Sequence, residues 1–326
     1  MRFFTLLSAL GITLAAGQAL AQQVAVPTFT DPGQYNNYIV NEQRQLLRKN
    51  LRYISKAAHS DNEKKIESRR LDVVQQNELA LARLAKLKAY EGDKDFKDKA
   101  TEALYQQLKV YSEDYKQVDF LAATRTRSVE NMEAYFKAQE HAEAKLQAVG
   151  DSVNAAQLRF ARHHGMNISR DKEIEDLDRY IAQVAEVNAY QHKVIVPQFR
   201  LEKAIARITD ALNAQDAAAF ETARTQLLAD AKVAQDELAA ITPFRGKDTQ
   251  YRDAAGNLAK LYLELANAQF IKTQALMTQK NSLTKVQVSE INNYITYFNQ
   301  NNSKLIQAYN QASTNFSAAY IPVFND

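Results

Sequence analysis

The spacing of apolar residues predicts long helices along almost the whole chain. From Tyr35 onward, apolar residues recur at intervals of three and four, and the strict alternation typical of β-strands is hardly present. The clearest stripe consists of Ile66, Arg70, Val73, Asn77, Ala80, Leu84 and Leu87. Residues at this spacing share one face of an α-helix, and we expect so apolar a stripe to be buried against other helices.

The same stripe occurs a second time, 154 residues further along the chain. Its members are Phe220, Arg224, Leu227, Ala231, Ala234, Leu238 and Ile241. Residues 54–104 align with residues 208–258 at this offset without a gap. After a short insertion the offset becomes 159, where Tyr135 meets Tyr294 and Lys145 meets Lys304. Similarity over so long a span indicates one structural unit used twice.

We therefore predict an all-α fold, built as a tandem duplication of a four-helix up-and-down bundle unit. Unit 1 covers residues 34–165 and unit 2 residues 166–326. The eight predicted helices are 34–59, 61–90, 95–118 and 124–163 in unit 1, and 170–213, 216–241, 248–279 and 283–320 in unit 2. The pattern leaves open whether the units form two bundles or one merged eight-helix body.

Polar residues, glycines and a proline predict where helices begin and end. Ser60 with Glu63 has the spacing of a capping box at the start of the second helix. Gly92 and Gly246 are expected to end the second helix of each unit, since glycine tolerates the left-handed conformation there. Pro197 predicts a kink or a break near Val196, because it removes a backbone hydrogen bond.

The first 21 residues have the organisation of a signal peptide. Arg2 precedes an apolar stretch over residues 3–16, and Ala19-Leu20-Ala21 is an A-x-A cleavage site. We expect cleavage before Gln22, then a polar leader over residues 22–33; the alternative is an uncleaved anchor. No apolar run long enough to span a membrane follows in the mature chain.

Composition narrows the possible partners and stabilising features. Lysine and arginine number 41 against 38 acidic residues, which is too small an excess to favour nucleic acid as a partner. The chain has no cysteine, so disulfides and thiol nucleophiles are absent, although an exported protein can carry disulfides. Burial of apolar surface must therefore supply the stability.

One charged pattern is present in both repeats: Glu67 with Arg70, and Glu221 with Arg224. If each arginine turns inward, these residues are candidate ligand contacts, forming a twin anion site. The alternative is a helical ion pair three residues apart, worth about 0.2–0.5 kcal/mol. The arginine stems would then fill the apolar stripe.

The histidines show no spacing typical of a metal site. No histidine follows a glutamate by three residues, as di-iron bundles require, and none is four residues from another, as helical zinc sites require. His163 and His164 are interpreted as residues at the end of a helix, where positive charge is favourable. Motifs for phosphate loops, nucleophile elbows and zinc proteases are also missing. We predict no catalytic, cofactor-binding or metal-binding residues.

The segment Asp31-Pro32-Gly33-Gln34-Tyr35-Asn36-Asn37-Tyr38-Ile39-Val40-Asn41-Glu42-Gln43 follows soon after the signal peptide. It resembles the mature start of an uncharacterised family of exported bacterial surface proteins. That resemblance implies a helical chain in the periplasm or at the cell surface, and it implies no functional residues.

These patterns favour an exported, non-enzymatic helical-bundle protein that binds an unknown protein or small molecule in the cell envelope. The alternative is a hydrolase or a metal-handling protein with a site between the two units. A third possibility, a structural envelope protein, is favoured if no pocket of adequate size exists.

Overall fold

The computed structural model describes residues 28–60, 62–168, 172–279 and 282–321. Within these ranges the chain is all-α, as predicted, and no β-strand occurs. The predicted signal peptide 1–21 and residues 22–27 of the predicted leader lie outside the described residues. No helix among the described residues has the length and apolar character needed to cross a bilayer.

The described residues of the first half form five helices. They are α1 (Pro32–His59), α2 (Glu63–Lys86), α3 (Asp95–Lys109), α4 (Tyr115–Ala122) and α5 (Val129–His163). A π-helical turn, Val110–Asp114, joins α3 to α4, so these two segments together correspond to the predicted third helix. α1 begins where Asp31 accepts a hydrogen bond from the Gln34 amide at 2.8 Å, directly before Pro32.

The second half repeats this order. Its helices are α6 (Lys172–Asn213), α7 (Ala217–Ala240), α8 (Gln250–Asn267), α9 (Gln269–Met277) and α10 (Lys285–Tyr320). α8 and α9 together occupy the predicted third helix of unit 2, which is broken at Ala268. α6 continues through Pro197, so the break that this proline predicts does not occur.

The residues group into two compact units. The first contains the described residues up to Ala122 together with Lys137–Ala182. The second contains Ala123–Phe136 and the described residues from Gln183 onward. This grouping has no single boundary at residue 165, since the first turns of α5 belong to the second unit. Likewise, the first turns of α6 belong to the first unit.

Both predicted stripes are buried, which confirms the pattern that led to them. In the first stripe all members from Arg70 to Leu87 are buried, and Ile66 is half-buried. In the second stripe every member is buried except Arg224, which is half-buried. The apolar spacing therefore identified the correct face of α2 and of α7.

The helix ends differ from the predictions in two respects. Asn62, not Ser60, caps α2: its side chain accepts from the Lys65 amide at 3.1 Å, while Asn62 donates to the Ser60 hydroxyl. Gly92 and Gly246 have positive φ angles of 85° and 76°, as expected, but α2 and α7 end several residues earlier. The glycines instead form tight turns closed by the bridges Tyr90–Asp93 and Phe244–Asp248.

The turn in the second half is one residue longer, and this changes the register of the repeat. The buried residues of α3 are Phe96, Ala100, Ala103 and Leu104, and those at the matching turns of α8 are Tyr251, Ala255, Leu258 and Ala259. These pairs differ by 155 positions, so the ungapped offset of 154 does not hold beyond the turn.

Each unit contains an aromatic cluster of five rings. The first aromatic cluster consists of Tyr35, Tyr90, Phe96, Phe160 and His164, and the second consists of Tyr190, Phe244, Tyr251, Phe316 and Tyr320. In each cluster one phenylalanine contacts the other four rings: Phe160 of α5, at 4.5–6.0 Å, and Phe316 of α10, at 4.9–5.6 Å.

The members of the two clusters correspond one to one. Six ring pairs in the first cluster have a counterpart in the second, including Tyr35–Tyr90 at 5.4 Å and Tyr190–Phe244 at 5.1 Å. Phe160 corresponds to Phe316 at an offset of 156, so the predicted offset of 159 does not hold near the ends of α5 and α10. Such matching contacts are what a duplication predicts, although the tandem four-helix duplication itself stays a prediction.

Candidate functional site

Arg70, one of the predicted ligand contacts, is directed into the first unit. Its side chain is only 6% exposed, and Nη1 donates to the carbonyl oxygen of Tyr111 at 3.0 Å. Nε donates to Oδ2 of Asp119 at 3.0 Å. Glu67, the predicted partner, is exposed, and its Oε1 lies 3.8 Å from Nη2, beyond hydrogen-bonding distance.

Asp119 is the acidic partner that the sequence analysis missed. Burial raises the pKa of its carboxyl group, and the positive charge of Arg70 opposes that shift. Asp119 lies in α4, on the far side of the π-helical turn, 49 positions along the chain from Arg70. No local spacing in the sequence indicates this pair, because it depends on how α2 and α4 are placed relative to each other in the folded unit.

Arg224 is placed in the same way within the second unit. Its Nη1 donates to the carbonyl oxygen of Ala266 at 2.9 Å. Nε and Nη2 donate to the two carboxylate oxygens of Glu221, at 2.7 and 2.6 Å. These hydrogen bonds lower the pKa of Glu221. Here the predicted ion pair is formed, with bidentate geometry.

The two arginines contact corresponding points of an interrupted helix. Tyr111 lies within the π-helical turn of the first unit, and Ala266 lies in the last turn of α8, just before the break at Ala268. The two carbonyl groups are 155 positions apart, which is the offset that the buried residues of α3 and α8 follow. Where a helical ladder is interrupted, backbone carbonyls need another donor. These contacts favour the ion-pair and packing interpretation of both arginines over the twin anion site.

The candidate binding site is an open groove on the second unit, with a volume of about 950 Å³. The first turns of α5, the last part of α6 and the first part of α7 form it. Its apolar lining residues are small: Val129, Ala211, Ala214, Ala219 and Ala223. The alanines leave the space that larger residues would fill, and the volume is within the range of small-molecule sites.

Charged residues form the polar part of the groove. The cations are Arg200, Lys203 and Arg207, and the carboxylates are Glu130, Glu133, Asp210, Asp216 and Asp230. The described lining residues therefore include two more carboxylates than cations. We expect it to have a negative potential, because charges that line a concave surface reinforce one another.

The cations are already engaged within the second unit. Arg207 donates to Asp230 at 3.0 Å, and Arg200 donates to Glu237 at 2.6 Å. The ammonium group of Lys203 lies 5.1 Å from the centre of the Phe199 ring, a cation–π distance. The groove therefore offers an incoming anion few free donors.

The carboxylates differ in how far they are engaged. Asp216 caps α7 and accepts from the amides of Ala218 and Ala219, at 3.0 and 2.9 Å. A hydrogen bond from Ser128 lowers the pKa of Glu130. The side chains of Glu133 and Asp210 make no hydrogen bond or ion pair with another described residue. These two carboxylates are the groups most available to a ligand.

The apolar residues next to the groove are packed. Met132, Phe136 and Phe199 form a buried cluster with the partly buried Val129, Tyr135, Ile195 and Val196 around it. Phe136 also stacks on the imidazole of His192, with ring centres 3.8 Å apart. Because Phe199 also carries the Lys203 contact, this packing holds one wall of the groove in place.

The groove was not predicted from the sequence. The available signal was Arg200, Lys203 and Arg207, which are three and four residues apart and therefore share one face of α6. The small residues that open the groove have no such spacing signal, because alanine is common throughout this chain. Comparisons with protein-family models, curated proteins and solved structures found no match.

Proposed function

We propose that this chain is an exported, non-enzymatic binding protein of the cell envelope, which holds a ligand in the groove of its second unit. The groove carries this proposal, because it combines a volume of about 950 Å³ with small apolar walls and unengaged carboxylates. The signal-peptide pattern of residues 1–21 supports export.

The ligand that suits the groove is an organic cation with a short apolar part. Glu133 and Asp210 would pair with the positive charge, and the alanine-lined wall would contact the apolar part. An anionic ligand suits it less well, since Arg200 and Arg207 already pair with Glu237 and Asp230.

The lining residues favour binding over catalysis. The described lining residues include no histidine, and their one hydroxyl group, that of Thr222, donates to the carbonyl oxygen of Ala218 in its own helix. The pKa of Glu130 is lowered, whereas a carboxylic acid that acts as a general acid needs a raised pKa. These features support a site that holds a molecule unchanged.

Two threonines of α7 provide a matched test. Thr222 lines the groove and Thr225 does not, yet both are exposed and both donate to the carbonyl oxygen four residues earlier. Thr222→Trp is expected to fill the groove, and Thr225→Trp places the same side chain outside it.

The measurement is native mass spectrometry of the protein purified from its own host. We expect a small cationic molecule on the wild-type protein and on Thr225→Trp, and its loss from Thr222→Trp. Retention of the same molecule by Thr222→Trp would place the binding site elsewhere. Absence of any bound molecule from the wild-type protein would argue for the structural alternative.

A further inference from the structure

One corner of the first unit brings two imidazoles and a carboxylate together. The residues are Asp93, in the turn after α2, and His163 and His164, at the end of α5. One potential ligand atom from each lies within 4.8 Å of the other two. The aspartate and the histidines are 70 positions apart in the chain, which is why the spacing of the histidines alone did not reveal this cluster.

Adjacent histidines in a regular helix point in quite different directions, but here the helix ends between them. α5 ends at His163, and Gly165 has a φ of 64°. The Met166 amide donates to the carbonyl oxygen of Ala161 at 2.8 Å, the long hydrogen bond of a Schellman C-terminus. At this helix end the two rings lie 4.8 Å apart between centres.

Asp93 is held so that one oxygen faces the imidazoles. Its Oδ1 accepts from the Asp95 amide at 3.0 Å, and its Oδ2 lies 3.4 Å from Nε2 of His164. The tight turn that carries it is set by positive φ angles at Glu91 and Gly92. The carboxylate is therefore oriented before any ligand arrives.

The side chain of His164 is largely enclosed, and one of its nitrogens makes no hydrogen bond within the described part of the chain. Its side chain is 7% exposed, because the ring packs against Phe160 and Tyr90, at 4.5 and 5.1 Å between centres. Nε2 is inaccessible and makes no hydrogen bond. Oδ2 of Asp93 lies 3.4 Å from this nitrogen, but the two atoms form no hydrogen bond. A buried polar atom without a hydrogen bond is uncommon in proteins, and an ion held between these two atoms would satisfy both.

The corresponding corner of the second unit has an aspartate but no histidine. Asp248, the counterpart of Asp93, accepts from the Gln250 amide with Oδ1 and from the Tyr320 hydroxyl with Oδ2, both at 3.0 Å. Tyr320 takes the place of His164, and Ala319 takes the place of His163. A tyrosine therefore satisfies the aspartate there, and imidazoles are not required to complete the fold.

We propose that Asp93, His163 and His164 bind a divalent transition-metal ion of the zinc class. Two imidazoles and one carboxylate are a ligand set that Zn²⁺ favours, and three protein ligands leave a fourth position for water. Glu91 supports the site from outside, since its Oε2 lies 3.8 Å from Nδ1 of His164, on the other side of the ring. An outer carboxylate at this position orients a metal-bound imidazole.

The test uses the metal-free full chain, purified without a polyhistidine tag. Titration with Zn²⁺ by isothermal calorimetry, and with Co²⁺ by visible absorption, is expected to give one site per chain with nitrogen and oxygen ligands. His163→Ala combined with His164→Tyr gives this corner the residues of the second unit, so the fold is expected to persist. That variant should lose the site, and Glu91→Gln should bind about 10-fold more weakly.

His141→Ala is the matched control, because His141 is an exposed histidine of α5 outside the cluster. It should bind Zn²⁺ as the wild type does. Equal binding by the wild type and the His163/His164 double variant would overturn the proposal, as would failure of the wild type to bind. Loss of binding in His141→Ala would overturn it too. Thr222→Trp should leave the metal site intact, so the outcome is independent of the ligand proposed for the groove.

Discussion

Replacing Arg70 by leucine tests whether this arginine supports the π-helical turn of the first unit. The change removes the hydrogen bond from the charged guanidinium to the carbonyl oxygen of Tyr111, and a hydrogen bond of this kind contributes about 1.5–3 kcal/mol. Asp119 also loses its partner, but its side chain is 38% exposed, so we assign only about 0.5–1 kcal/mol to that pair. The expected loss in the free energy of unfolding is therefore about 2–4 kcal/mol.

The loss should depend on pH in a defined direction. Burial raises the pKa of Asp119, and the charge of Arg70 opposes this, so the pKa rises further in Arg70→Leu. A carboxyl group with a raised pKa in the folded state takes up its proton more readily there than in the unfolded chain. Stability is therefore lost as the pH rises through that pKa. We expect Arg70→Leu to lose less stability at pH near 4 than at pH near 7.

The assay is urea unfolding followed by circular dichroism at the two pH values. Arg69→Leu is the control, because Arg69 is half-exposed and pairs with Asp72 on the surface, so its loss should be below about 0.5 kcal/mol. The reasoning is refuted if Arg70→Leu and Arg69→Leu lose equal stability. An Arg70→Leu deficit that stays constant between the two pH values would refute the assignment to Asp119.

Three further predictions concern other parts of the chain. Burial raises the pKa of Tyr35 to about 12, so stability should fall as the pH rises from about 10 to 12, and Tyr35→Phe should lessen this fall in alkaline circular-dichroism titrations. In thermal unfolding, Gly246→Ala should lose about 1 kcal/mol because its φ is 76°, whereas Gly256→Ala, inside α8 with open space around it, should gain about 0.5–1 kcal/mol. N-terminal sequencing of the exported protein should begin at Gln22, and a sequence that begins at Met1 would contradict the predicted signal peptide.

The helices and their buried faces could be predicted from sequence because they depend on local spacing. The stripe from Arg70 to Leu87 and its counterpart are buried as the period of three and four requires. The ends of the helices were less predictable. Leu87 and Ile241 adopt extended backbone, with ψ near 128° and 120°, several residues before the glycines that the sequence suggested as ends.

The candidate sites could not be predicted, because each depends on residues far apart in the chain. Asp119 reaches Arg70 only through the packing of α4, and Asp93 reaches His164 only because the tight turn and the end of α5 meet. The groove is open where Ala219 and its neighbours are small, and small side chains carry no periodic signal of an empty space. Sequence spacing reports which face of a helix is buried, but it does not report what that face contacts.

Besides a carboxylate, Arg70 and Arg224 each donate to a main-chain oxygen, and this second contact has an evolutionary consequence. A carbonyl group is the same whichever side chain its residue carries, so the acceptor position is tyrosine in one unit and alanine in the other. Selection can therefore retain each arginine while the residue it contacts varies freely. Methods that infer contacts from correlated substitutions between positions would miss this interaction, whereas a mutational scan of the arginines alone would reveal it.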